Sequence, residues 1–144
     1  LNINNDELVL DIGTGLGYSS AVISLLAEVV IAVEDDSSLA SEAEEILSEI
    51  GVDNVVVQVS KLEDGAPEHG PYDVIILQGG VEEIPGSIIN QLKDGGRVGA
   101  IYIEEGLGTA KIGFKLNDKI NWRYSFNAAA PVLPGFFKQK NFVL

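Results

Sequence analysis

Apolar residues fall in short blocks along the chain, and the spacing within each block changes from strand-like to helix-like and back. "ELVLDI" (7–12) predicts a strand that ends in a glycine-rich turn, and "SSAVISLLA" (19–27), with apolar positions at helical spacing, predicts the helix that follows. "VVIAVE" (29–34) is a continuous β-branched strand. "SSLASEAEEILSEIG" (37–51) is a helix with a serine cap, a charged face and a terminal Gly51, and "NVVVQV" (54–59) is a third strand. "YDVIIL" (72–77), "IPGSIINQLKDGG" (84–96) and "RVGAIYI" (97–103) predict a fourth strand, a short helix closed by glycines and a fifth strand. Strands that are apolar throughout and alternate with helices belong to a parallel sheet covered on both faces, an α/β architecture. The alternation then stops: "AKIGFKL" (110–116) and "WRYSF" (122–126) predict a hairpin joined by "NDKIN", and the tail "AAAPVLPGFFKQKNFVL" is antiparallel or irregular.

Composition narrows the functional classes. A chain of 144 residues, 46% hydrophobic and 22% charged, has the content of one domain spanning 1–144. Nine Lys and Arg stand against 22 Asp and Glu, a formal charge of -13 that repels phosphate backbones and anionic lipid, so neither nucleic acid nor membrane is an expected partner. The absence of cysteine removes disulfides, thiolate metal sites and cysteine nucleophiles. No cluster of ligating residues points to a metal, no run spans a bilayer, and "LNINNDEL" carries no basic or apolar signal region, so a cytoplasmic location is expected. The chain contains no methionine and opens with Leu1 just before a strand, and it reads as a piece of a longer protein that lacks an N-terminal segment.

The candidate chemistry sits in "VLDIGTGLGYSS". Ligands of parallel sheets bind beyond the carboxyl ends of the strands, which places this turn in the site. Gly13, Gly15 and Gly17 allow a sharp turn and close backbone approach, and N–H groups at a helix start favour a carboxylate or phosphate. A dinucleotide fold would read G-x-G-x-x-G, whereas here the spacing is G-x-G-x-G followed by Tyr18. Asp11 would repel a pyrophosphate over this turn but stabilise an ammonium or sulfonium. S-adenosylmethionine combines an ammonium, a sulfonium, a carboxylate and a ribose whose hydroxyls need an acceptor, for which Glu34 at the end of "VVIAVE" is placed. Asp35 lies close enough to reach the ribose or adenine edge. The competing readings are a nucleotide-binding oxidoreductase, and a simple tight turn flanked by solvated acids.

Five stretches, "VLDIGTGLGYSSAVIS", "IAVE", "NVVVQV", "PYDVII" and "IPGSIINQLKDGGR", resemble in order and spacing the motifs of the protein-L-isoaspartate O-methyltransferases, over residues 5 to about 103. The resemblance implies a three-layer Rossmann-like methyltransferase sheet, mostly parallel with an antiparallel C-terminal hairpin. It implies S-adenosylmethionine as methyl donor and isoaspartyl carboxylates of damaged proteins or peptides as acceptors. By the same resemblance Gly13, Thr14, Gly15 and Tyr18 line the methionine end of the cofactor and Glu34 holds its ribose.

The chain departs from that family in three places. Where the family has Gly-Asp-Gly at the adenine, this chain has Ser60, Lys61 and Leu62, so adenine contact would fall to the backbone at Lys61–Leu62 or to Glu63 or Asp64. Gln78-Gly79-Gly80 replaces the family's Thr-Ala-Ala, and "AAAPVLPGF" replaces its closing Phe-Val-Pro-Leu, both on the substrate side. The family's N-terminal segment, with an active-site serine, would lie before Leu1. A related methyltransferase with another acceptor, or a member that binds cofactor without repair activity, therefore stays open. No residue is singled out as catalytic: a carboxylate acceptor is already ionised at neutral pH and needs no general base. His69, in "PEHGP", reads as solvated, Ile84, Ile88, Ile89 and Leu92 as core, and Trp122, Tyr124 and Phe126 as one buried strand face.

Overall fold

The computed structural model describes residues 1–138. In chain order it contains β1 (Leu8–Ile12), α1 (Tyr18–Ser24), β2 (Val29–Glu34), α2 (Ser37–Glu49) and β3 (Val55–Val59). Two single-turn 3-10 helices follow, Leu62–Asp64 and Pro67–His69. The rest comprises β4 (Tyr72–Val81), α3 (Gly86–Ile89), β5 (Leu92–Glu104), β6 (Leu107–Leu116) and β7 (Lys119–Asn127). The strands form one seven-stranded sheet in the order β3-β2-β1-β4-β5-β6-β7. The first five are parallel, and β6 and β7 add antiparallel. This is the mostly parallel α/β sheet with an antiparallel C-terminal hairpin that the apolar blocks predict.

The sheet centre is covered on both faces, which is why its strands carry no polar alternation. On one face Ile23 of α1 and Ala27 pack on Val9, Val30 and Val74, and α2 packs against β2 and β3. On the other, Leu62, Ala66, Ile88 and Phe136 close over Leu10, Ile12, Ile75 and Leu77.

Several boundaries differ from the sequence-based expectation. The helix expected over 84–96 is the single turn α3, and β5 begins at Leu92 rather than Arg97, because Leu92 already pairs with Tyr72. Ile88 and Leu92 are core, while Ile84 and Ile89 are half-buried. Helix α1 ends at Ser24, three residues short of the expected end, and its last turn passes into irregular chain. The hairpin is tighter than "NDKIN" suggested: Asn117 and Asp118, with φ of 52° and 62°, form its two-residue connection. Glu105 and Gly106 make the same kind of turn between β5 and β6. The aromatic alternation on β7 does not mark one buried face. Trp122 packs edge-on against Tyr102 with ring centres 4.9 Å apart, whereas Tyr124 and Phe126 are exposed. A register shift opposite Ala110 and Lys111 takes Phe126 out of the Trp122 alternation.

After β7 the chain returns to the carboxyl end of β4. Gly80 donates its N–H to the Pro131 carbonyl and accepts from the Leu133 N–H, both at 2.8 Å, and the Glu82 N–H reaches the Phe136 carbonyl at 2.8 Å. Residues 130–136 thus form a strap across the carboxyl end of β4. The last six positions of the expected irregular tail, 139–144, lie outside the described residues.

Candidate functional site

The carboxyl ends of β1, β2 and β4 meet at the glycine turn. The chain leaves β1 at Ile12, and the Gly13 and Thr14 N–H groups both donate to the Val33 carbonyl of β2, at 2.9 and 3.3 Å. Gly15 holds a φ of 58°, and a Cβ placed on it would meet nothing within 4 Å, so its backbone faces open space. Gly17, with φ 89°, sits close against α2: a Cβ there would come within 3.2 Å of Ala43, tighter than an ordinary contact. The turn is therefore pinned by one glycine to the helix layer and left bare at another.

Two carboxylates flank it, and neither is a solvated strand-end acid. Glu34, 5% exposed at the end of β2, accepts the Gly15 N–H on Oε1 at 2.9 Å and the Asp36 N–H on Oε2 at 3.0 Å. Its side chain fixes both the glycine turn and the entry to α2, whose cap is Asp36 through the Ser38 and Leu39 N–H groups. Asp35 stands exposed between them. Asp11 is fully buried beneath the turn. Its Oδ2 accepts hydroxyl hydrogen bonds from Ser20 at 2.6 Å and Ser19 at 2.8 Å, and its Oδ1 accepts the Gln78 side-chain N–H at 2.9 Å. Burial pushes the Asp11 carboxyl above the usual aspartate range, and the hydrogen bonds from Ser20, Gln78 and Ser19 pull against that shift. Thr14, also buried, turns its hydroxyl to Ser20 at 2.9 Å.

The structure brings Asp11, Gly13, Thr14, Gly15, Gly17, Glu34 and Gln78 into one cluster. It gives some of them work inside the protein as well: the Thr14 side chain belongs to the Asp11 network, and the first amides of the turn are bonded to β2. Tyr18 opens α1 with an exposed ring. Lys61 is exposed and precedes the first 3-10 turn, while the Leu62 side chain is core, so at Leu62 only backbone is left to meet a ligand. Gly79 and Gly80 meet the strap. A Cβ on Gly79 would lie 2.5 Å from a Leu133 methyl, and one on Gly80 would lie 2.9 Å from the Ala130 carbonyl. His69 is exposed on the second 3-10 turn and takes no part. Ser19 and Ser20 were not anticipated, although a serine pair in the first turn after an acid-bearing strand end was the available signal. Leu133 carries no local signal, since its place depends on the chain returning from β7.

Among the described residues, no group of three or more His, Asp or Glu is arranged to hold a metal ion. The cluster offers a buried acid, a second acid bonded to a bare glycine backbone, and exposed backbone beyond β3. That set suits a ligand with a cationic end and a hydroxyl-bearing end.

Comparison with known proteins places the chain by sequence and by fold. The sequence pattern of the protein-L-isoaspartate(D-aspartate) O-methyltransferases matches residues 1–122. The protein-L-isoaspartate O-methyltransferase of Methanocella arvoryzae is 42% identical over 101 residues, 68% of this chain and 54% of the relative. That of Syntrophus aciditrophicus is 35% identical over 122 residues, 82% of this chain and 56% of the relative. A solved protein-L-isoaspartate O-methyltransferase superposes with a TM-score of 0.86 at 29% identity, covering 92% of this chain and 44% of its own. A Plasmodium falciparum structure assigned to the same methyltransferase type, in complex with S-adenosyl-L-homocysteine, shares the fold with a TM-score of 0.74 at 18% identity, over 90% of this chain and 66% of its own. The chain spans about half the length of the curated relatives it matches. With a family pattern that extends through the glycine turn, both acids and the sheet to β7, the chain belongs to the protein-L-isoaspartate(D-aspartate) O-methyltransferase family.

Proposed function

We propose that residues 1–144 form one domain that binds S-adenosylmethionine and takes part in methylating the side-chain carboxylate of L-isoaspartyl residues in damaged proteins. The observation that carries the reading is Glu34, buried at the end of β2 with Oε1 on the Gly15 N–H, which puts an ionisable acceptor beside bare glycine backbone. Ribose hydroxyls would meet Glu34, the ammonium end would lie toward Asp11, and adenine would rest on backbone at Lys61–Leu62, with Asp35 at its edge. The donor set fits the group: Glu34 would face the hydroxyls and Asp11 the cation, and open space at Gly15 would leave room for the chain between them.

When bound, S-adenosylmethionine supplies an electrophilic methyl on a sulfonium. The acceptor carboxylate is a nucleophile in its ordinary ionised form, so the residues' task is alignment rather than proton transfer. The Asp11 network and the Glu34 bridge hold the glycine turn rigid for that purpose. The strap residue Leu133, seated over Gly79, would bound the acceptor side with an apolar side chain. A second reading, a related methyltransferase with another acceptor, is favoured by that same Gly79–Leu133 contact, which fills space where the family carries a side chain on β4. No helix among the described residues is long and apolar enough to cross a membrane. We assign the domain to the cytoplasm, with isoaspartyl proteins or peptides as its partners.

The test is transfer of labelled methyl from S-adenosylmethionine to two matched peptides, one with isoaspartate and one with aspartate, with S-adenosylhomocysteine and NADH titrated in parallel. Base-labile label on the isoaspartyl peptide alone is the expected result. Cofactor binding without labelling of either peptide moves the assignment to another acceptor, and binding of NADH in place of S-adenosylhomocysteine overturns the methyltransferase reading.

A further inference from the structure

The two oxygens of Asp11 are held in different ways. Oδ2 is fixed by Ser19 and Ser20, both on α1, and Ser20 is braced in turn by Thr14. These are short side chains on a packed helix and move only with it. Oδ1 is capped by Gln78, a long side chain on an exposed residue at the carboxyl end of β4. The Gln78 amide presents an N–H donor 2.9 Å from the carboxylate, the same donor chemistry and distance that a primary ammonium would use. Gln78 thereby occupies Oδ1 of a carboxylate that has no solvent exposure, so a cation that is to bond Oδ1 must displace the amide.

We propose that Gln78 is a positioning residue that competes with the ligand's ammonium for Asp11, a built-in selection for ligands that carry an amino-acid end. This deepens the reading of the cluster as an S-adenosylmethionine site and rests on it. In the ligand-free protein the amide satisfies Oδ1 and holds the β1 and β4 ends together. A charged ammonium makes a stronger hydrogen bond to the carboxylate than the neutral amide does, and displaces it. The displaced amide turns into water, and the cost to the ligand is the one amide–carboxylate hydrogen bond it breaks. A nucleoside without an ammonium leaves the cap shut and never engages Asp11. The fraction of protein with the cap open scales the apparent affinity of the ammonium-bearing ligand alone.

The experiment compares two probes on the purified protein by calorimetric titration: S-adenosylhomocysteine, and 5′-methylthioadenosine, which keeps the nucleoside and the thioether but lacks the amino-acid arm. Gln78→Met keeps the length of the side chain and removes the donor, and Gln78→Ala removes the cap altogether. Both variants are expected to bind S-adenosylhomocysteine about three- to ten-fold more tightly, the range of one net hydrogen bond no longer lost on binding, with 5′-methylthioadenosine unchanged. A merely structural cap would move both ligands by the same factor or neither, and either result overturns the proposal, as does weaker S-adenosylhomocysteine binding in the variants. If the unaltered protein binds neither probe, the cofactor reading itself falls and takes the proposal with it. If it binds both and the variants show no selective gain, only the role of Gln78 is lost.

Discussion

Glu34 accepts the backbone N–H of Gly15 through Oε1 at 2.9 Å, so an acid at the end of one strand sets the shape of the turn that leaves its neighbour. Its other oxygen holds the Asp36 N–H. Glu34→Ala removes both anchors and the proposed ribose acceptor together. S-adenosylhomocysteine binding is expected to weaken ten-fold or more, as for loss of a charge-assisted hydrogen bond. Glu34→Gln keeps one carbonyl acceptor and should fall between the two. Calorimetric titration of the three proteins checks the order.

Asp11 gives a prediction of the opposite kind, in which loss of a buried charge does not weaken the fold. Desolvation raises its carboxyl above the ordinary aspartate value of 3.8, against the hydrogen bonds from Ser20, Gln78 and Ser19, so charging it costs more in the folded than in the unfolded state. Its contribution to stability is complete below that value and is lost as pH rises through the raised folded-state value. Asp11→Asn is nearly isosteric: its carbonyl can accept from Ser19 and Ser20, and a turned Gln78 amide can accept from its N–H. The variant should melt at or above the wild-type temperature at pH 7, with its advantage growing as pH rises from 3.8 and then levelling, while S-adenosylhomocysteine binding drops. A variant that melts well below wild type at neutral pH would show that the ionised carboxylate is a net stabiliser.

Legibility followed the range of the interactions involved. The strands from β1 to β5 and helix α2 were readable because burial on both faces leaves a continuous apolar run, and because capping is decided within a few residues. Asp11, the glycines and Glu34 were readable because strand-end position and residue type suffice to place them. The helix over 84–96 was misjudged because Ile84, Ile88, Ile89 and Leu92 do recur at helical spacing. Pairing of Leu92 with Tyr72 and the Gly95–Gly96 bend, with Gly95 at φ 83°, take the second half into the sheet. That Gln78 reaches Asp11 across 67 positions, and that Leu133 returns to Gly79, are consequences of topology that no local pattern encodes.

Gly80 marks where the strap is joined to the sheet. A Cβ there would lie 2.8 Å from the Ile103 side chain, 2.9 Å from the Ala130 carbonyl and 3.1 Å from the Pro131 carbonyl. Two of those neighbours are backbone and cannot rotate away, and Gly80 also exchanges hydrogen bonds with Pro131 and Leu133. Gly80→Ala should therefore cost about 2 kcal/mol and release the strap. Faster limited proteolysis between β7 and Phe136, together with a lowered melting temperature, is the expected readout. Gly15→Ala is the control, since its Cβ meets nothing and only the φ of 58° is strained, at a cost of about 1 kcal/mol.

Arg97 ties the first residues of the chain to β5. Its guanidinium donates to both carboxylate oxygens of Glu7, at 2.8 and 2.7 Å, and to the Leu1 and Asn2 carbonyls. The ion-paired side chains are only 13% and 14% exposed, so the pair is weakly screened by salt. The hydrogen bonds from Arg97 hold the Glu7 carboxyl below its ordinary value of 4.5, against the opposing effect of burial. A carboxylate depressed in the folded state stabilises it above the unfolded value, and that stability is lost as pH falls through the lower folded value. Arg97→Met is expected to cost about 2 kcal/mol at pH 7, partly from unpaired carbonyls at Leu1 and Asn2. The share due to Glu7 should shrink as pH drops below 4.5, so the melting curves of wild type and variant converge without meeting. Glu7→Gln separates the two contributions: it removes the titrating group and leaves the carbonyl contacts, so its deficit should vanish in acid. Thermal melts from pH 7 to pH 3 on the three proteins test this, and a Glu7→Gln deficit that stays constant across the range would remove Glu7 as the titrating partner.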